Sequence, residues 1–191
     1  MTDDISHGRQ LFLSASHSMP LMEKDEILDR VYRLAFNYEK ECRGCAQSTL
    51  AALQDVFDIR DDSTFRSASG LSGGIGLTTW GTCGALTGCS MAIGMLFGRE
   101  RENFKDEGKT RMVAYRLCKQ LAERFVEEYG SVVCWEIQRA HLGRNYDLWD
   151  REVYREFDDV AYQKEKCPVL VGRAAVWTAE IILENLEHAD R

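Results

Sequence analysis

Two cysteines stand three residues apart in "ECRGCAQSTL", Cys42 and Cys45, and five more follow at positions 83, 89, 118, 134 and 167. A C-x-x-C pair has two chemistries open to it. One thiolate can attack a disulfide while the other resolves it, or both can serve as half of a soft-metal site. There is no second C-x-x-C, so a zinc ribbon of two knuckles is absent, and a four-thiolate site would have to draw its ligands from separate elements. Position dismisses two of the others. Cys118 lies on an apolar helical stripe and reads as core, and Cys89, six residues after Cys83, is turned to another face. Cys83, Cys134 and Cys167 each begin or flank an expected helix after a glycine, a turn or a charged loop. Helix starts offer free N–H donors, which stabilise thiolates and cluster sulfides, so these three are the better ligand candidates.

The elements that must position these thiols read as helices. From Met22 to Tyr38, Ile27, Val31, Leu34, Ala35 and Tyr38 recur at three and four, and Gly44 interrupts the pattern. A second helix over Ala46 to Phe57 carries Leu50, Leu53 and Phe57, and "DIRDDSTF" is a turn with a helix cap. Nine of the fifteen glycines fall between Gly70 and Gly98. The part before Trp80 reads as a Gly-rich loop and the part after Gly81 as a helix. Gly84, Gly88 and Ala92, four apart on that helix, let another helix or a bulky cofactor come close. A long helix over Thr110 to Tyr129 ends at Gly130. "SVVCWEIQRAHL" is read as helix, Gly143 to Gln163 as a polar, aromatic connection, and the chain closes on a helix with Pro168 near its start. The expected fold is all-α: a single-domain helical bundle of five or six main helices over residues 1–191, with residues 1–20 a flexible N-terminal segment.

Composition narrows the partners. The chain has 24 Lys and Arg against 31 Asp and Glu, a net charge of −7, and no basic patch interleaved with aromatics, so nucleic acid is not an expected partner. The first twenty residues lack a basic stretch followed by a long apolar run. An odd number of cysteines without such a leader argues for a cytoplasmic protein over a secreted disulfide framework. Ser67 to Phe97 carries no charge and is long enough to span a bilayer, but its apolar density begins only at Ala85, so a buried helix is expected and no membrane. There is no P-loop, nucleotide fingerprint or Ser-His-Asp arrangement. A thioredoxin-like reading fails because the residues before Cys42 have helical periodicity where that fold needs a strand.

"GCAQS" at Gly44, "GGIGLTTWGTCGALTG" ending at Gly88, "RFVEEYGSVVC" ending at Cys134, and Cys167 before the last helix together resemble the redox-active family labelled C-GCAxxG-C-C, from about Leu34 to Leu186. The family's recurring cysteines match Cys45, Cys83, Cys134 and Cys167, with Cys42 open as an alternative first ligand. The resemblance implies a cluster-binding role, since a similar cysteine domain is joined to haem domains in split-Soret-type cytochromes carrying an iron-sulfur centre. No haem motif occurs here, because Ala46 follows Cys45.

The resulting expectation is a metal centre held by Cys45, Cys83, Cys134 and Cys167, an iron-sulfur cluster serving electron transfer or redox sensing. N–H groups of the "GTCG" turn, including Gly81 and Gly84, would tune it, and Trp80 would keep water away. A redox partner protein is expected, and a homodimer is one assembly the sequence allows. Two rivals remain: a metal-free thiol-disulfide oxidoreductase using Cys42 and Cys45, and a structural zinc protein.

Overall fold

In a computed structural model of the chain, residues 23–189 are described. They form α1 (Lys24–Cys42), α2 (Cys45–Phe57), α3 (Asp62–Ser67), α4 (Gly84–Phe97), α5 (Arg111–Tyr129), α6 (Cys134–Ile137), α7 (Arg151–Asp158) and α8 (Lys166–Ala189). A 3-10 turn follows α3 at Ala68–Leu71, and single π-helical turns follow α6 (Gln138–Leu142) and α7 (Asp159–Gln163). The fold is all-α, and the described residues contain no strand. Eight α-helices stand where five or six main ones were expected, the difference being short pieces of four to eight residues. Residues 1–20, and Met22 at the expected start of α1, lie outside the described residues.

Helix ends follow local chemistry. The Glu23 carboxylate caps α1, and Glu26 reaches back to the Glu23 N–H. The turn between α1 and α2 takes Arg43 at φ 65° and Gly44 at φ 89°, the left-handed region that ends one helix within two residues and starts the next. Asp61 Oδ1 accepts from the Thr64 N–H (2.6 Å) to start α3, and Gly130 at φ 76° ends α5.

The long helices pack around α2, which lies against α1, α4 and α8, while α1 also runs along α8 and α5 covers α4. Leu50, Leu53, Phe57, Ile93, Leu117, Leu121, Phe125 and Ile182 are fully or almost fully buried there. Each such side chain contributes roughly 1.5–3 kcal/mol. No described helix is long and apolar enough to cross a membrane, and the uncharged stretch contains the 14-residue α4.

A second, smaller cluster of Tyr146, Leu148, Phe157 and Ala161 stands apart from this core and packs with Leu77, Tyr154, Tyr162 and Cys167. It comes from the segment expected to be a connection. Asp150 caps α7 by accepting from the Glu152 and Val153 N–H groups, and Val153 and Phe157 one turn apart face inward.

A cavity ringed by cysteines

The four expected ligand positions all fall at helix starts. Cys45 is the first residue of α2 and Cys134 the first of α6, Cys83 is the N-cap of α4, and Cys167 is the second residue of α8. One isolated antiparallel bridge, Thr82 to Val133, brings two of them side by side. The Cys83 N–H donates to the Val132 carbonyl (2.8 Å) and the Cys134 N–H to the Gly81 carbonyl (2.9 Å). Cys45 reaches the same place because Gly84 has no side chain: a Cβ there would lie 2.3 Å from Cys45 Sγ.

Cys45, Cys83, Cys134 and Cys167 line one cavity of about 380 Å³, together with Cys42, Glu39, Gln138, His141 and Tyr162. Both π-helical turns contribute to its wall. All seven cysteines are free thiols. Among the described residues no three His, Cys, Asp or Glu side chains converge closely enough to hold a single ion. The thiols surround a space and do not meet at a point.

Burial dominates their electrostatics. Burial pushes the Cys134 thiol up to about 12, with Cys45 adding to the effect. Burial raises Cys83, with Cys134 next, while the Ala85 and Leu86 N–H groups at the start of α4 pull the other way. Cys45 is raised by burial, then by Glu39 and Cys83, and the Gly73 N–H and Ser72 hydroxyl oppose this. Cys167 is pushed well up by burial, then by Glu39 and the other three thiols. The four thiols therefore feel one another across the cavity.

Several expectations are corrected. Trp80 is 81% exposed and does not line the cavity, so its ring keeps no water from the thiols. In the "GTCG" turn, the Gly81 N–H is engaged by the Gly74 carbonyl and the Cys83 N–H by Val132. The N–H groups that face the thiols come from Gly73, Ala85 and Leu86. Gly81 instead fixes Cys134 through its carbonyl, and the space that Gly84 and Gly88 leave is taken by α2, at Cys45, Ala46 and Thr49. The C-x-x-C pair spans the turn between two helices, with Cys42 closing α1 and Cys45 beginning α2. Cys89 is buried away from the cavity near Thr49 and Thr178, its thiol raised by burial to about 12, and Cys118 lies partly buried near the Ser90 carbonyl.

The residue that sequence reasoning missed is Glu39. It is 1% exposed, accepts from the Ser48 hydroxyl (2.9 Å) and the Tyr162 hydroxyl (3.2 Å), and burial raises it to about 7. The signal was present in the spacing Val31, Ala35, Glu39, one carboxylate on a buried stripe. His141 also lines the cavity. Its Nε2 lies 3.1 Å from the Lys166 carbonyl, and burial holds its pKa below the usual value.

The family model described as "Putative redox-active protein (C_GCAxxG_C_C)" matches residues 44–181, most of the chain. The chain belongs to the C_GCAxxG_C_C family. It is also 29% identical over 167 residues to an uncharacterized protein of Archaeoglobus fulgidus, an alignment covering 85% of this chain and 97% of that protein. No solved structure gives a significant match. Where the C_GCAxxG_C_C label has a second glycine, this chain has Thr49, whose hydroxyl donates to the Cys45 and Ala46 carbonyls and occupies the space opposite Gly88.

Proposed function

We propose that this chain carries electrons or senses redox state through an iron-sulfur cluster held by Cys45, Cys83, Cys134 and Cys167. The observation that carries the reading is that four cysteines from four helix starts, up to 122 positions apart in the chain, line one cavity. Thiolates need positive potential, and at Cys83 the Ala85 and Leu86 N–H groups at the start of α4 supply part of it. The wide ring suits a polyatomic centre better than one zinc ion, which needs its ligands to converge. A bound cluster would supply one-electron chemistry, with a potential set by hydrogen bonds and solvent exposure.

This chain's own residues do the rest. The Gly73, Ala85 and Leu86 N–H groups favour the thiolate form at Cys45 and Cys83. Leu77, Leu148, Phe157 and Leu170 make much of the cavity wall apolar. A redox partner protein would deliver or take the electron.

The test is metal and sulfide content with an absorption spectrum on protein purified without oxygen. About two to four irons per chain with matching sulfide and visible bands are expected. Cys83→Ser should lose colour and metal, whereas Cys118→Ser should keep both. Equal losses would defeat the ligand assignment. Zinc alone would favour a structural metal. Failure to take up any metal would move the weight to a thiol-disulfide exchange in which the exposed Cys42 attacks and Cys45 resolves.

A further inference from the structure

Three of the four tryptophans do not belong to the core. Trp80, Trp149 and Trp135 are 81%, 72% and 43% exposed, and Ile75 is 56% exposed. All four are tied to the loop before α4. Trp149 Nε1 donates to the Gly76 carbonyl (2.9 Å), the Trp135 N–H donates to the Thr79 carbonyl (2.8 Å), and the Ile75 side chain lies against Gly81, beside Trp80. Together they expose roughly 500 Å² of mostly apolar surface, given 150–250 Å² for an aromatic side chain. A stable interface of standard size takes about 800 Å² from each partner, so these four residues supply more than half of one. An exposed patch of this size marks a surface that something covers.

The same face also holds a receptor for what it projects. Leu77, Leu148, Trp149, Arg151, Tyr154 and Arg155 line a groove of about 330 Å³. The guanidinium groups of Arg151 and Arg155 have no hydrogen-bond or ion-pair partner among the described residues. An apolar groove flanked by two unpaired guanidinium groups suits an indole ring, whose face attracts cations. The loop that projects Trp80 also supplies Leu77 to the groove and is bonded at Gly76 to the groove's Trp149, so a ring that projects and a groove that could receive one are built on the same loop. That is the self-complementarity a two-fold axis requires. The projecting loop adds no charge of its own, since Ser67 to Phe97 holds no charged residue, and the two cations in the groove are those of Arg151 and Arg155.

We propose that a second copy of this chain covers this face, with Trp80 of each copy entering the groove of the other beside Trp149. The inference needs no metal and stands apart from the reading of the cavity. It would place each cavity one residue behind the interface, since Trp135 follows Cys134 and Trp149 follows the cavity residue Leu148.

Sedimentation velocity from sub-micromolar to high micromolar protein should give a species of twice the 21.8 kDa chain mass. Trp80→Ser and Arg155→Glu should each weaken association by at least about thirty-fold, the loss expected for a hot-spot residue, with unchanged far-ultraviolet circular dichroism. Mixing the two variants should recover a heterodimer, because one keeps its groove and the other its Trp80. A wild-type chain that stays monomeric throughout overturns the proposal, whether or not it binds neutral phosphatidylcholine vesicles or another protein. So does a dimer that neither variant weakens, or a mixture that recovers nothing.

Discussion

A carboxyl group buried among thiols governs how the metal-free fold responds to pH. Burial raises Glu39 to about 7 in the folded chain against 4.5 ordinarily. The folded state holds this proton more tightly than the unfolded chain does. Its stabilising effect is therefore complete below the ordinary glutamate value, shrinks as pH rises toward 7, and is gone above it. The stability of the metal-free wild type relative to Glu39→Gln should fall by on the order of 3 kcal/mol over that interval, followed by urea unfolding. A difference that does not vary with pH would mean that Glu39 titrates like a surface group. The thiols were readable from the sequence because a cysteine beside a helix start is visible in one dimension. Glu39 was not, because a charged residue next to Lys40 and Glu41 reads as a solvated face until its partners from α2 and the π turn after α7 are brought to it.

Glycines decide how closely α2 and α4 approach, and two positions on α4 separate packing from propensity. A Cβ at Gly88 would fall 2.1 Å from the Ala46 carbonyl oxygen and 2.3 Å from Thr49 Oγ1, so the helices would have to part. Gly88→Ala should cost about 3 kcal/mol or more. Gly94 has nothing within 4 Å of its Cβ position, and Gly94→Ala should gain about 0.5–1 kcal/mol through helix propensity alone. Urea denaturation of the pair checks both signs, and similar effects at the two sites would sink the close-approach argument. The long helices were legible because their apolar residues repeat over many turns, and the structure places them within about four residues of the expected ends. α7 was not, since eight residues give barely two turns of pattern, and its evidence lay in the Asp150 cap with Val153 and Phe157. The loop before α4 was legible as glycine-rich but not in its shape. Ile75, Leu77 and Thr79 join its glycines at φ of 61° to 68°, values that long-range contacts impose and that no local preference would suggest.

At the scale of the molecule, the cysteine cavity lies between two bodies of unequal strength. Beneath it is the large core around α2, and over it lies the small cluster of Tyr146, Leu148, Phe157 and Ala161. That roof is fastened to α1 by the Lys40–Glu165 ion pair and the bond from Tyr162 to Glu39, and to the turn after α1 by the Arg43–Asp158 ion pair. Partly exposed ion pairs of this kind hold weakly. In the metal-free protein, hydrogen exchange should therefore be faster at the amides of 146–163 than at those of α2, and raised salt should widen the gap. Equal protection would mean that the two bodies open together. The consequence concerns assembly order. A body that is already folded beneath a roof that can lift leaves the four thiols reachable after synthesis is complete. If the cavity takes the cluster proposed above, that cluster would enter as a late step, on a finished scaffold, and would not be the nucleus around which the chain folds.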